Sequence, residues 1–311
     1  MLKYYFQLFR LPNIFTIPPN ILAGYFITLI NINNVVNYFD IFILTISSIF
    51  LYIAGMITND LFDVKKDKLE NSTRPLVLGK ISKSTATILS VVFFGLGIFL
   101  TLLINSISTL VISLFLVMLI ISYNAKIKNG FFRPYLMGSI RATNIIFGAS
   151  TFFNFYFFFN FYDLFVANFN LILLSLAVFI HTFTLTWLSK FETKPESDRV
   201  NMPLNFKNIY KKYLLILIAI FLLGFIFMPH KLYYVMLFII YLISVFILFN
   251  VKDYKKICIF LKVRFIVKYM IVLMVLLDSI FIVGATGLYP AIISFSMLIP
   301  SLILGRKIHM T

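Results

Sequence analysis

The chain has 311 residues, of which 61% are hydrophobic and 12% are charged, and its formal net charge is +16. Soluble domains carry about 45–50% apolar and about 25% charged residues, so this composition excludes a soluble enzyme and predicts one integral membrane domain over residues 1–311. The positive charge indicates membrane topology and an anionic ligand, and no nucleic-acid partner is expected. The single cysteine, Cys258, excludes an intramolecular disulfide and a multi-cysteine metal site.

Apolar stretches of about 20 residues, the length that a helix needs to cross a bilayer, recur along the chain. They predict nine spans, at about 13–30, 38–58, 85–104, 107–123, 134–159, 169–188, 213–227, 232–249 and 265–285. A shorter apolar run at 288–304 is either a tenth span or a helix lying within the bundle. No small-residue cleavage site follows the first run, so we expect no cleavable signal peptide. The predicted fold is an all-α, polytopic membrane helical bundle.

Basic residues are concentrated in alternate loops. The loops after the second, fourth, sixth and eighth predicted spans are rich in Lys and Arg. The loops after the first, third and fifth spans have none, and the loop after the seventh has only Lys231. Because basic loops stay in the cytoplasm, this alternation places the N-terminus and the loop after the second span there. Arg306 and Lys307 would be cytoplasmic only if residues 288–304 also cross.

The second predicted span is followed by the sequence NDLFDVKKD, residues 59–67. Asp60, Asp63 and Asp67 share one helical face, and clustered carboxylates at a membrane boundary are costly unless a cation compensates them. Mg²⁺ binds one or two carboxylates and fills its other positions with water and phosphate oxygens. We therefore expect a magnesium site beside a diphosphate pocket. The alternative is a solvated acid cluster that pairs with the lysines at 65, 66 and 68.

This sequence fits N-D-x-x-D-x-x-x-D and resembles the first aspartate-rich motif of the UbiA family of intramembrane prenyltransferases. RPLVLGKIS at 74–82, RLPN at 10–13 and YNAKIK at 123–128 are similar to further segments of that family. The resemblance implies an Mg²⁺-dependent enzyme that binds an isoprenyl diphosphate. Such an enzyme transfers the prenyl group to a hydrophobic or aromatic acceptor, or to a lipid, within the bilayer.

The same resemblance implies roles for individual residues. The expected metal ligands are Asn59, Asp60, Asp63 and Asp67. Arg74 and Lys128 would contact the diphosphate, and Asp63, Asp67 and Lys128 would be catalytic. The alternative for Arg74 and Lys128 is that they are basic for topology alone, since every predicted cytoplasmic loop is basic.

The family's second aspartate-rich motif, which holds a second Mg²⁺, is degenerate here. The corresponding sequence is LSKFETKPESDRVNMP at 188–203, where Lys190 or Thr193 stands in place of the first aspartate. Glu192 and Glu196 are candidate ligands of the second metal, although the intervening Pro195 disfavours a regular helix, and Asp198 is a third candidate. This departure leaves a second hypothesis open, a non-catalytic relative that binds or transports an isoprenoid or quinone-type precursor.

Arg141, Asp278 and His181 are ionisable residues that lie well inside predicted spans. Arg141 is about two turns inside the fifth, where a charge usually faces the bundle interior and needs a partner, so we expect it to reach the diphosphate or a buried acid. Asp278 lies deep in the ninth span and is a candidate partner for Arg141. His181, in the middle of the sixth span, is expected to make a structural hydrogen bond to a neighbouring helix.

Overall fold

A computed structural model describes residues 2–32, 35–69, 73–125, 131–153, 168–192, 202–250 and 259–307. The described chain contains helices and no strands. The α-helices are α1 Leu2–Leu8, α2 Leu11–Ile14, α3 Ile17–Ile32, α4 Tyr38–Leu69, α5 Lys83–Leu102, α6 Ile107–Asn124, α7 Arg133–Ala149, α8 Phe169–Ser189, α9 Met202–Phe227, α10 Lys231–Asn250, α11 Ile259–Thr286, α12 Leu288–Ser296 and α13 Leu298–Lys307. Short 3-10 turns, Ser150–Phe152 and Lys190–Glu192, extend α7 and α8.

Among the described residues, nine segments are long and apolar enough to cross a membrane. Seven of these segments lie in the helices α4, α5, α6, α8, α9, α10 and α11. The other two are the paired helices α2–α3, at Leu11–Ile30, and α12–α13, at Leu288–Gly305. The predicted all-α membrane bundle is therefore confirmed, and the C-terminal run has the length and composition of a span.

The predicted fifth span differs from the helix that forms there. Helix α7 has 17 residues, begins at Arg133 and ends at Ala149, whereas the prediction ran from 134 to 159. Residues 154–167 lie outside the described chain. Its length of 17 residues keeps α7 out of the nine segments. It nevertheless packs against α3, α6 and α8 inside the bundle.

Two glycines allow α3 and α7 to pack closely. A methyl group on Gly24 would clash with the carbonyl oxygen of Ile145, and one on Gly148 would clash with the backbone of Ile21. Small residues at such crossings let helix backbones approach each other in a membrane. This contact brings the polar residues at the start of α3 next to Arg141 on α7.

A buried polar cluster joins α8, α9, α10 and α11. His181 Nδ1 lies 2.7 Å from Tyr213 Oη and 2.8 Å from Tyr241 Oη, and the two hydroxyl oxygens are 2.5 Å apart. His181 Nε2 lies 2.8 Å from the carbonyl oxygen of Met270. Because a carbonyl oxygen only accepts, Nε2 carries the proton and Nδ1 accepts from a tyrosine hydroxyl. These contacts agree with the structural role predicted for His181.

The connection from α4 to α5 folds back beneath the end of α4. The carbonyl oxygen of Arg74 accepts hydrogen bonds from the amides of Val77 and Leu78. Gly79 has a φ of 66°, a left-handed conformation that glycine adopts without steric cost. Ser82 then caps α5 by accepting from the amide of Thr85 at 3.0 Å. This turn holds the side chain of Arg74 near the acids of α4.

Candidate functional site

The acidic motif is helical throughout, because α4 continues to Leu69 beyond the predicted end of the span at 58. Asn59, Asp60, Asp63 and Asp67 are each at most 8% exposed. Buried carboxylates require paired charges or hydrogen bonds. These acids therefore do not form the solvated cluster that was the alternative to a metal site.

Arginines from three segments neutralise the acids. Arg10 Nη2 lies 3.3 Å from Asp60 Oδ1, and Arg74 Nη1 lies 3.2 Å from the same oxygen. Arg74 Nη1 also donates to Asp67 Oδ2 at 2.6 Å, while Arg133 Nη2 is 4.0 Å from Asp63 Oδ2. The helix end is therefore electrostatically compensated by side chains of the protein itself.

Arg10, which contacts Asp60, has an unusual backbone conformation. Its φ of 48° and ψ of 54° are left-handed, which is uncommon for a residue other than glycine, and they turn the chain between α1 and α2. Burial opposes its charge, but the Asp60 carboxylate, with Tyr52 and Tyr123, outweighs burial and raises the pKa of Arg10 above its ordinary value. Arg10 therefore stays cationic beside Asp60.

A cavity of about 310 Å³ lies between the end of α4 and the end of α8. Six basic side chains line it, against two carboxylates, among the described residues. The charged lining consists of Arg10, Lys66, Arg74, Arg133, Arg141, Lys190, Asp63 and Asp67. This excess of positive charge favours an anionic ligand.

The same cavity has an apolar side, formed by Met56, Met137, Leu185, Val267, Ile271 and Met274. A second cavity of about 50 Å³, with a mainly apolar lining, shares Tyr52, Met56, Tyr123, Met137 and Arg141 with the first. The two cavities together match a ligand that has an anionic head and an apolar tail.

Lys190 extends the basic lining to the end of α8. Burial, together with the nearby charge of Arg133, lowers the pKa of Lys190 below its ordinary value. The contribution of Arg133 reflects the positive potential of the cavity, which an anion would relieve. Lys190, one of the two residues that the sequence placed at the first position of the second motif, thus lines the cavity.

Arg141 lies where the two cavities meet and is 7% exposed. Its Nη1 donates to Asn20 Oδ1 at 3.1 Å, and its Nη2 donates to Thr16 Oγ1 at 3.1 Å. Asn20 Nδ2 in turn donates to Asp278 Oδ2 at 2.5 Å. The expected pairing of Arg141 with Asp278 is therefore mediated by Asn20.

The structure brings some predicted site residues together and leaves others outside its description. Asn59, Asp63, Asp67, Arg74 and Arg141 all line the larger cavity. Asp60 instead bonds the two arginines beside it. Lys128, Glu196 and the side chain of Glu192 lie outside the described chain, so their roles remain predictions.

Sequence reasoning assigned no site role to Arg10, Arg133 or Asn20. Arg10 begins the segment RLPN, which resembles a family segment, but that resemblance alone assigned no role to its arginine. Asn20 had no local signal, because it bonds residues that are 121 and 258 positions away.

The donor set is compatible with a hard divalent cation. Within the described residues, no three His, Cys, Asp or Glu side chains are arranged to hold a metal ion. Mg²⁺ needs only one or two carboxylates when phosphate oxygens and water complete its shell. Asn59, Asp63 and Asp67 provide two carboxylates and an amide oxygen on one wall of the cavity. These residues fit such an ion.

Comparison with known proteins identifies the family. The profile of the UbiA prenyltransferase family matches residues 18–267. The chain belongs to the UbiA prenyltransferase family. This membership confirms the resemblance to the UbiA family that the sequence indicated.

Curated relatives of this UbiA protein carry the name digeranylgeranylglyceryl phosphate synthase. The protein of Saccharolobus solfataricus is 37% identical over 102 residues, which are 32% of this chain and 36% of the relative. The protein of Sulfurisphaera tokodaii is 30% identical over 152 residues, which are 49% of this chain and 53% of the relative. The matches thus span between about a third and a half of these relatives.

Solved structures share the fold. One solved structure concerns the biosynthesis of digeranylgeranylglyceryl phosphate synthase in membranes. It has a TM-score of 0.62 and 21% identity to this chain, and the match covers 92% of this chain and 99% of the other. A UbiA homologue from Archaeoglobus fulgidus, bound to GPP and Mg²⁺, has a TM-score of 0.61 and 16% identity, covering 94% and 99%. At these identities the likeness establishes the UbiA fold.

Proposed function

We propose that this UbiA protein transfers a polyprenyl group from an isoprenyl diphosphate to a hydrophobic or aromatic acceptor, or to a lipid, within the membrane, and that the reaction depends on Mg²⁺. The observation that carries the proposal is the cavity beside α4. Two buried carboxylates and six basic side chains line its charged part, which adjoins an apolar part. An isoprenyl diphosphate has the corresponding head and tail.

Asn59, Asp63 and Asp67 would hold the metal. The ion would supply positive charge to the departing diphosphate, as divalent cations do in phosphoryl chemistry. Asp60 was predicted as a further ligand, but its bonds to Arg10 and Arg74 favour a role in placing those arginines. Glu192 and Glu196 remain the proposed ligands of a second ion.

The basic side chains would bind the phosphate oxygens. Guanidinium groups make short, charge-assisted hydrogen bonds to such oxygens, and Arg74 and Arg141 both line the cavity. Lys128 is proposed as a further contact and a catalytic residue, by resemblance to the family. The apolar side of the cavity would hold the prenyl tail and exclude water. Exclusion of water protects a cationic prenyl intermediate.

The acceptor is proposed from the relatives. Their name, digeranylgeranylglyceryl phosphate synthase, denotes a product with two geranylgeranyl groups on a glyceryl phosphate. The six basic side chains of the cavity are compatible with a second anion besides the diphosphate. We therefore favour a prenylated glyceryl phosphate over an uncharged acceptor.

Transfer can be tested on protein purified in detergent with Mg²⁺, geranylgeranyl diphosphate and a panel of acceptors that includes geranylgeranylglyceryl phosphate and hydroxybenzoate. The measurement is pyrophosphate release together with the prenylated product. We expect turnover in the wild type and a loss of about 100-fold or more in Asp63→Asn. Asp40→Asn is the matched control, because Asp40 lies in the first turn of the same helix.

Two outcomes would contradict the proposal. Binding of geranylgeranyl diphosphate with no turnover on any acceptor would favour the second hypothesis, a non-catalytic relative that binds or transports the isoprenoid. Equal losses in Asp63→Asn and Asp40→Asn would remove the special role of the cavity carboxylates.

A further inference from the structure

A chain of hydrogen bonds crosses three helices beneath the cavity. It runs from Arg141 on α7 to Asn20 on α3 and on to Asp278 on α11. Its direction is fixed, because a guanidinium group only donates hydrogen bonds. Asn20 must therefore accept with Oδ1 from Arg141, and its Nδ2 must face an acceptor, which is the carboxylate of Asp278.

The two ends of this chain have different surroundings. Asp278 is 0% exposed and does not line either of these two cavities. Arg141 lines both cavities, and its guanidinium carbon lies 5.9 Å from the ring centre of Tyr52. Asn20 and Thr16 engage two of its five N–H donors. Other donors can therefore serve a ligand.

Stability alone does not explain this arrangement. Buried ionised groups carry a large desolvation cost, and their replacement by well-packed apolar residues is often neutral or stabilising. Ionisable residues within a membrane bundle are costly in the same way and usually mark a functional site. A chain that begins at a buried acid and ends at a cavity therefore points to a role at the cavity.

We propose that Asp278 and Asn20 are positioning residues, which hold the guanidinium group of Arg141 at the junction between the charged cavity and the apolar one. An isoprenyl diphosphate lying across both cavities would place the diphosphate oxygen nearest its tail at this junction. Arg141 would thereby face that oxygen, and Asp278 holds it there through its hydrogen bond to Asn20. This inference rests on the proposed function.

The test compares steady-state kinetics and thermal unfolding of four forms with the wild type: Asp278→Asn, Arg141→Gln, the double variant and Ser279→Ala. Asp278→Asn keeps the shape of the side chain and removes its charge. Ser279→Ala is the control, because Ser279 is the next buried residue of α11 and bonds Ser294 instead. The substrates are geranylgeranyl diphosphate and the acceptor that the wild type uses.

For Asp278→Asn we expect kcat to fall by about 10- to 100-fold, with a smaller change in KM, as for other losses of positioning. Ser279→Ala should keep kcat within about twofold of the wild type. The double variant should be no slower than Arg141→Gln alone, since no guanidinium remains to be positioned. Its unfolding midpoint should lie above that of Arg141→Gln, because neither single charge remains uncompensated.

The outcomes separate the two proposals. An active wild type with a folded, fully active Asp278→Asn variant would overturn the positioning role, as would losses that multiply in the double variant. A wild type that releases no pyrophosphate would overturn the proposed function and this inference with it. If Asp278→Asn does not fold, Asn20→Ser breaks the same chain without removing a charge and should show the same fall in kcat.

Discussion

Arg74 and Asp67 are seven residues apart, and Arg74 Nη1 donates to Asp67 Oδ2 at 2.6 Å. The turn between α4 and α5 makes this contact possible by folding the chain back under the helix that carries the acid. The same nitrogen lies 3.2 Å from Asp60 Oδ1, so one guanidinium group bridges two buried carboxylates, and Arg10 adds a second positive charge at Asp60. The end of α4 is therefore compensated by the protein before any ligand binds.

Metal removal should consequently leave the fold intact. We expect the thermal unfolding midpoint in detergent to be nearly the same with EDTA as with Mg²⁺. Adding Mg²⁺ with geranylgeranyl diphosphate should raise it, since a ligand at 100 times its Kd stabilises the folded state by about 2.7 kcal/mol. The fluorescence of Trp187, the single tryptophan, provides the measurement. A large fall in the midpoint with EDTA alone would show that the arginines do not compensate the acids.

The packing of α3 on α7 gives a second prediction. Gly24→Ala should lower the unfolding midpoint, because its methyl group would overlap the carbonyl oxygen of Ile145, and overpacking costs about 1–3 kcal/mol. Activity should fall as well, since α3 carries Asn20. Gly95→Ala is the matched control, because nothing lies within 4 Å of a methyl group at Gly95 on α5.

The result for Gly95→Ala should be neutral or slightly stabilising, as alanine is the better helix former. Equal midpoints for the two alanine variants would show that the α3–α7 contact tolerates separation. A stable but inactive Gly24→Ala variant would instead show that the helices had shifted at the site without a loss of packing.

Local features of the sequence predicted the parts of the fold that depend on neighbouring residues. The length of the apolar stretches predicted the spans, and the spacing of Asp60, Asp63 and Asp67 predicted that they share a helical face. Hydropathy also ended the second span at 58, although α4 continues to Leu69. Hydropathy reports the apolar segment, whereas the backbone hydrogen bonds of a helix continue through polar residues that favour helix.

Features that depend on distant residues could not be predicted in the same way. Asn20 sits between Arg141 and Asp278 only because α3 packs against both α7 and α11. A sequence can suggest that two buried charges pair, but it does not show which amide lies between them. The sequence predicted a span at 134–159, but the packing of α7 against α3, α6 and α8 depends on residues distant in the chain.

The cluster of His181, Tyr213 and Tyr241 should contribute to stability and not to chemistry. His181→Leu would leave one tyrosine O–H and the carbonyl oxygen of Met270 without their histidine partner, although the two hydroxyl groups can still bond each other, at a cost of about 1–3 kcal/mol for each unsatisfied group. Tyr213→Phe should cost less, because Tyr241 can still donate to Nδ1. Thermal unfolding in detergent measures both variants.

Thr184→Val is the control for this cluster, since Thr184 is also buried on α8 but bonds only the carbonyl oxygen of Ile180 in its own helix, among the described contacts. Its midpoint should stay close to that of the wild type. A His181→Leu variant that keeps the wild-type midpoint would contradict the structural role. One that keeps the midpoint but loses turnover would point to a catalytic role.

The proposed orientation places the acidic end of α4 in the cytoplasm. Lys80 follows α4, Val35 precedes it, and both are exposed. Single cysteines at these positions, in a Cys258→Ser background, should therefore react differently with a membrane-impermeant maleimide. We expect Val35→Cys to be labelled on intact cells and Lys80→Cys only after lysis, because basic loops such as the one that contains Lys80 stay in the cytoplasm. Labelling of Lys80→Cys on intact cells would invert the topology and place the proposed diphosphate site outside the cell.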